Sequence, residues 1–88
     1  MLALSWNRHF REMRQFSDAF SELVKKARER KMLSKAALAK KAGLHQTYIG
    51  LLERGARSPN LDTAKAIADA LEIPLGKMIS LAEKRSVN

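Results

Sequence analysis

Apolar residues recur every three or four positions along this chain, which is the spacing of helices that bury one face. No segment shows the alternation of apolar and polar residues that is typical of a strand. The pattern predicts an all-α fold with helices at about 18–31, 35–42, 45–54 and 61–71, and a fifth helix beginning near residue 75. Residues 84–88 are expected to form a loose tail.

Residues suited to helix ends support these boundaries. Ser34 and Asn60 are good N-caps for the second and fourth helices. Gly43 and Gly55 follow the second and third helices, where a helix often ends in a left-handed residue. Pro74 suits the first turn of the fifth helix. The last four helices therefore have predicted boundaries.

The segment before the first of these helices has two interpretations. Its apolar residues continue at helical spacing into that helix: Trp6, Phe10, Met13 and Phe20. Ser17 interrupts this stripe, and Ser17 with Asp18 is equally suited to cap a new helix. We predict a short or frayed N-terminal helix and a break near Ser17, which gives an extension over 1–17 and one domain over 18–83. The extension is expected either to pack over its own core or to reach a partner subunit or DNA.

The second and third helices meet at Gly43. On the third helix Ile49 and Leu52 are predicted to face inward as an i, i+3 pair. Its other side carries small or polar residues: His45, Gln46, Thr47 and Gly50. A helix with one buried side and one small polar side suits insertion into a groove. Residues 35–54 are therefore predicted to form a helix-turn-helix.

The positive charge of the chain is concentrated on the same region. The formal net charge is +8, and residues 25–57 hold ten basic and two acidic side chains, which account for the whole excess. Residues 1–24 and 58–88 are each neutral overall. A lysine-rich helix face is often only a solvated surface. Its coincidence with the predicted helix-turn-helix favours a surface that faces DNA phosphates.

Composition argues against several other classes of protein. The chain has no cysteine, which excludes disulfides and thiolate metal sites and favours a reducing compartment, the cytoplasm. No apolar run approaches the roughly 20 residues of a membrane span, and the apolar start of the chain is too short for a secretory signal. His9 and His45 are far apart and lack neighbouring ligands. We therefore expect no metal, no cofactor and no enzymatic activity.

From Phe20 to about Leu81 the chain resembles the Cro/phage-repressor (Xre) class of helix-turn-helix domains. The shared signals occur in order at the spacing of that class: Leu33-Ser34, Ala37-Leu38-Ala39, Gly43, Tyr48-Ile49, Leu52-Glu53-Arg54-Gly55, Ser58-Pro59-Asn60-Leu61 and Ala70-Leu71. Through Gln46-Thr47-Tyr48-Ile49 it is also similar to small controller proteins of restriction-modification systems. The resemblance implies a compact five-helix, lambda-repressor-like DNA-binding domain.

The resemblance also implies roles for residues of the third helix, the recognition helix. Gln46 and Thr47 are implied to contact base edges. Gly50 is placed one turn further on, facing outward, and two interpretations stay open: a close approach of DNA to the backbone, or no contact at that position. His45 replaces the usual Ser, Thr or Asp cap, so it either leaves a weaker cap or contacts a phosphate.

Other residues are implied to anchor or support that helix. Ser34 and Lys35, at the start of the second helix, would hold a phosphate. Arg54 and Arg57 are implied contacts to the DNA backbone or the minor groove.

Two further positions concern the fold. An inward glutamate, Glu53, is implied to pair with Arg28 of the first helix. Glu72 stands where relatives carry a glycine, so that turn is expected to be strained or differently shaped.

These inferences favour a sequence-specific double-stranded DNA-binding transcriptional regulator. It would act as a homodimer on a palindromic operator, and repression is the simpler mode because it needs only occupancy of the site. The alternative is a protein-binding adaptor such as an antitoxin, with DNA binding secondary. A weaker one is a basic helix surface that binds RNA or an anionic membrane.

Overall fold

The computed structural model describes the backbone of residues 2–86 and the side chains of residues 15–86. Within residues 2–86 it contains five α-helices and no strand: α1 (Leu2–Arg30), α2 (Lys35–Ala42), α3 (Gln46–Glu53), α4 (Leu61–Leu71) and α5 (Leu75–Ser86). The predicted all-α, five-helix architecture is confirmed.

The first helix is longer than predicted, and the expected break near Ser17 is wrong. α1 continues without interruption from Leu2 to Arg30. A serine inside a helix costs only a few tenths of a kcal/mol relative to alanine, whereas Phe16 and Phe20 on either side of Ser17 both pack against the core. Packing therefore outweighs the local capping signal. The side chains of Trp6, Phe10 and Met13 lie outside the described residues, and the domain boundary at residue 18 stays a prediction.

The predicted C-terminal tail is also partly wrong. α5 extends to Ser86, and Arg85 in its last turn lies 2.6 Å from a carboxylate oxygen of Glu22 on α1. Basic residues near a helix C-terminus interact favourably with the helix dipole. Residues 87 and 88 lie outside the described range.

One hydrophobic core joins all five helices. Its buried residues come from each helix: Phe20, Val24, Ala27, Leu38, Ala39, Ile49, Leu52, Ala64, Ile67, Ala68, Leu71, Met78 and Ala82. α1 packs against α3, α4 and α5, while α2 packs between α3 and α4. The predicted inward pair of α3, Ile49 and Leu52, is fully buried. These two residues hold α3 against the domain and determine which of its sides faces out.

Both predicted N-caps are confirmed. The Ser34 hydroxyl oxygen accepts a hydrogen bond from the Ala37 amide at 3.0 Å, and the Asn60 side-chain oxygen accepts one from the Thr63 amide at 2.8 Å. Each satisfies an amide that has no partner within its helix. The starts of α2 and α4 are therefore fixed by local interactions that the sequence already contains.

Four helices end in a residue with positive φ, after which the chain turns back on the helix. These residues are Met32, Gly43, Gly55 and Glu72. In each case the following amide donates to the carbonyl five residues earlier, as from Ile73 to Ala68 at 3.0 Å, which is the bond of a Schellman motif. Two of the four positions are occupied by glycine, for which this conformation carries no steric cost.

Glu72, at φ 61° and ψ 37°, confirms the expectation of a strained turn. We expect Glu72→Gly to raise the free energy of unfolding by about 1 kcal/mol, because left-handed backbone costs an L-residue roughly 1–2 kcal/mol and glycine loses more entropy on folding. The substitution also removes an exposed ion pair with Lys31 at 2.9 Å, which contributes little. Urea unfolding followed by circular dichroism measures the change. Glu72→Gln is the control, since it removes the charge and keeps the strain. A glycine variant no more stable than the glutamine variant would contradict the assignment.

Candidate nucleic-acid interface

A tight turn sets α3 against α2. Three residues, Gly43, Leu44 and His45, separate the two helices. Gly43 has φ 72°, and the Leu44 amide donates to the Ala39 carbonyl at 2.8 Å. Leu44 is half-buried and packs against the core. The turn is therefore held by both a backbone bond and a side-chain contact, and residues 35–54 form a helix-turn-helix.

The N-terminal part of α3 presents its polar side chains to solvent. His45, Gln46 and Thr47 are all exposed, whereas Ile49 and Leu52 on the opposite side are fully buried. His45 occupies the N-cap position but makes no side-chain capping bond. The weaker cap inferred from the sequence is therefore present. It leaves the first amides of α3 without a side-chain acceptor from His45, at the positive end of the helix dipole.

Gly50 faces outward, as predicted, but it is covered rather than bare. Gly50 is buried, and a Cβ built there would lie 3.7 Å from Nη1 of Arg54. Arg54 stands one turn further along, so its long side chain folds back over the glycine, which has no side chain of its own to expose. The surface at this point of α3 is therefore formed by the Arg54 guanidinium rather than by bare backbone.

Several cations on or beside the helix-turn-helix have no ion-pair partner among the described residues. Arg54 and Arg57 are exposed and Lys35 is half-buried, and among the described residues none of the three takes part in an ion pair. Lys40 and Lys41 are exposed near the end of α2. Cations without carboxylate partners keep their full charge available to a polyanion. The predicted anchoring cations Lys35, Arg54 and Arg57 are thus free of ion pairs among the described residues.

Tyr48 is a further residue of this surface, to which the sequence assigned no role in the site. It is half-buried, and burial raises the pKa of its hydroxyl while the positive charge of Arg57 acts in the opposite direction. The positive charge of Arg57 is therefore near enough to act on the Tyr48 hydroxyl. The signal in the sequence is the position of Tyr48, directly after Thr47 at the exposed end of α3.

An ion pair fixes the other end of α3. Arg28 on α1 donates from Nε to Glu53 at 2.6 Å and from Nη2 to the same carboxylate at 3.0 Å. The two side chains are only 10% and 3% exposed, respectively. Nη1 of Arg28 also donates to the Leu33 carbonyl at 2.8 Å, which ties in the loop before α2. The hydrogen bond to Glu53 raises the pKa of Arg28. The pair joins α1, the α1–α2 loop and the end of α3, so it orients the recognition helix.

The described part of this surface contains no candidate metal site. Among the described residues there is no group of three or more His, Cys, Asp or Glu side chains that could hold a metal ion.

No helix within the described range is long and apolar enough to cross a membrane.

Comparison with known proteins agrees with this geometry. Residues 24–78 match the helix-turn-helix family. Control protein C.SmaI of Serratia marcescens is 36% identical over 63 residues, which cover 72% of this chain and 75% of that protein.

Two solved structures are also similar. The restriction-modification controller protein C.AhdI of Aeromonas hydrophila superposes with a TM-score of 0.67 at 33% identity, covering 69% of this chain and 92% of that one. The controller protein C.Esp1396I gives a TM-score of 0.74 at 26% identity, covering 83% and 94%. The chain belongs to the helix-turn-helix family, in the Cro/phage-repressor (Xre) class of DNA-binding transcriptional regulators.

Proposed function

We propose that this regulator acts as a homodimer on a palindromic operator, in the cytoplasm and without a catalytic role, and that it controls genes of a restriction-modification system. The observation that supports DNA recognition most directly is the exposed row His45, Gln46 and Thr47 at the start of α3, among cations free of ion pairs. The restriction-modification assignment rests on the three controller proteins to which the chain is similar.

The division of roles follows from side-chain chemistry. An amide such as Gln46 can donate to and accept from one adenine, and the Thr47 methyl can contact a thymine methyl, so these two side chains would discriminate between bases. The predicted phosphate contacts carry charge or lie at helix starts: Ser34, Lys35, His45, Arg54 and Arg57. Gly50, which is buried under Arg54, would contribute by giving the guanidinium room.

Dimerisation follows from the size of the interface. α3 has only eight residues, and its exposed part covers a few base pairs. Two such helices about 34 Å apart would contact two half-sites one turn of DNA apart, which is why a palindromic site is expected. Occupancy of a promoter is enough to block transcription, so we propose repression as the mode of action.

The test begins with selection of bound duplexes from a random pool, using the full chain. The selected duplex is then titrated beside a scrambled duplex of equal composition over a range of salt concentrations. We expect a preference of about 10³-fold or more for the selected site, and a site with two inverted half-sites. Sedimentation should show two chains per duplex. Equal affinity for both duplexes would refute sequence-specific regulation, and one chain per selected site would refute the dimer.

The sign of regulation is tested separately by transcription in vitro from a promoter that overlaps the selected site. Repression predicts that transcript levels fall as the site fills. Levels that rise with occupancy would show activation instead.

A further inference from the structure

A second surface lies along the seam between α1 and α5, and DNA recognition does not account for it. There a groove of about 420 Å³ is floored by apolar side chains: Leu23, Ala27, Leu71, Ile73, Met78 and Leu81. Leu81 is 39% exposed, whereas Leu71 and Met78 are buried beneath the groove. We call this the α1–α5 groove. It offers an apolar contact that the described residues leave open.

The sides of the α1–α5 groove are strongly basic. Five cations line it, against a single carboxylate, Glu72: Lys26, Arg30, Lys31, Lys77 and Arg85. Among the described residues Arg30 and Lys77 take part in no ion pair. Lys26 and Arg85 share Glu22, at 3.3 and 2.6 Å, and both pairs are solvent-exposed. Exposed pairs contribute little and exchange partners easily, so all five cations are open to an incoming anion.

The lowered pKa values of two neighbouring carboxyls agree with a positive potential at the groove. A hydrogen bond from Lys26, together with the charges of Lys26 and Arg85, lowers the pKa of Glu22. A hydrogen bond and the charge of Lys31, with Lys41 further away, lower the pKa of Glu72. Both exposed carboxyls adjoining the α1–α5 groove are thus held in their charged form.

The α1–α5 groove is separate from the DNA-facing surface. Its lining residues belong to α1, α5, the end of α4 or the α4–α5 turn, apart from Lys31 directly after α1, and none belongs to α2 or α3. A partner bound there would leave His45, Gln46 and Thr47 uncovered. Occupation of the groove is therefore compatible with simultaneous DNA binding.

We propose that the α1–α5 groove binds an acidic amphipathic helix of a protein partner. The α1 side of the groove runs from Leu23 to Arg30, seven residue steps or about 10 Å, which is roughly two helical turns. An amphipathic helix would place apolar side chains at i, i+3 and i+7 on the apolar floor and its carboxylates against the basic sides. Burial of the apolar face supplies affinity, and charge complementarity supplies orientation and selectivity.

The charge pattern favours this occupant over three others. A second copy that docked through the same groove would set five cations against five, with only one carboxylate from each copy between them. A nucleic acid has no apolar face to cover Leu81 and Ile73. A lipid or other amphiphile with one anionic headgroup needs its cations clustered, whereas here Lys26 and Arg85 lie at one end and Arg30, Lys31 and Lys77 at the other.

The experiment uses a fluorescein-labelled 16-residue helical peptide with leucines at i, i+3 and i+7 and glutamates along both flanks. Two matched peptides replace the glutamates with glutamine or the leucines with serine. Fluorescence anisotropy is measured with the full chain. We expect the acidic peptide to bind about tenfold or more tightly than either matched peptide.

Variants of the protein locate the binding site. Arg30→Glu and Lys77→Glu are each expected to weaken the acidic peptide about tenfold. Lys84→Glu is the matched control, because Lys84 is an exposed cation of α5 outside the groove and the change in charge is the same. Any effect of the altered net charge on affinity for the selected duplex should be the same in all three, which keeps this test independent of the proposed function.

Several results would overturn the proposal. A glutamine peptide that binds as tightly as the acidic one would remove the charge argument, and equal loss in Lys84→Glu would show non-specific attraction. Competition by decanoate or by single-stranded oligonucleotide, but not by unlabelled acidic peptide, would assign the groove to another ligand class. A shift from dimer to monomer in Arg30→Glu would make the groove a contact between copies.

Discussion

Replacing Arg28 with methionine is expected to lower the free energy of unfolding by about 3–5 kcal/mol. The substitution removes two hydrogen bonds to Glu53 and one to the Leu33 carbonyl, and it leaves a carboxylate that is 3% exposed without its cation. Small domains are stable by only 5–15 kcal/mol in total, so a large part of the stability is lost. Urea denaturation followed by circular dichroism measures the change.

The double variant Arg28→Met with Glu53→Leu distinguishes the cost of leaving Glu53 unpaired from the net contribution of the ion pair to stability. Two apolar side chains of similar size replace both charges, so we expect most of the loss to be recovered. The Leu33 carbonyl stays without its donor, which leaves a residual cost of about 1–3 kcal/mol.

Arg30→Met is the matched control, since Arg30 is an exposed arginine of the same helix and the change should stay within about 0.5 kcal/mol. The double variant should also restore binding to the selected duplex, if the pair acts only by holding α3. A loss for Arg28→Met no larger than for Arg30→Met would show that the pair is not a structural support.

The parts of the fold predicted well from sequence are those that local interactions determine. Ser34 and Asn60 cap their helices through bonds that span three residues, so the residue type and its position are enough to predict them. The break expected at Ser17 failed for the opposite reason. Ser17 is a good cap when considered alone, but Phe16 and Phe20 on either side pack into a core built from distant segments. That packing keeps α1 helical.

The candidate site likewise has features that the sequence predicts and features that depend on packing between distant segments. Periodicity was sufficient to place Ile49 and Leu52 inside and Gln46 and Thr47 outside. It placed Gly50 outside as well, but a helical position does not show that the Arg54 side chain bends over this glycine and covers it. The α1–α5 groove was not predicted at all. It exists because α5 packs along α1 and brings Lys77 and Arg85 beside Lys26 and Arg30.

Gln46→Ala is expected to cost about 1–3 kcal/mol of binding free energy on the selected duplex, that is, roughly 5- to 150-fold in affinity. On the scrambled duplex the cost should be close to zero, because an exposed amide at the start of α3 contributes there only if its base is present. Selection repeated with the variant should therefore return sites that are relaxed at one position of each half-site. The change in salt dependence should be negligible, since glutamine neutralises no phosphate.

Arg57→Ala is expected to lower affinity and salt dependence without changing specificity, because Arg57 is exposed, charged and unpaired among the described residues. Its loss should weaken the selected and scrambled duplexes by the same factor and lower the slope of log affinity against log salt by about 0.9 for each chain. Lys84→Ala, which removes a cation from the far end of α5, should change neither slope nor specificity. If Gln46→Ala and Arg57→Ala behaved alike, α3 would not discriminate between bases through its first turn, and base selection would have to arise from DNA shape instead.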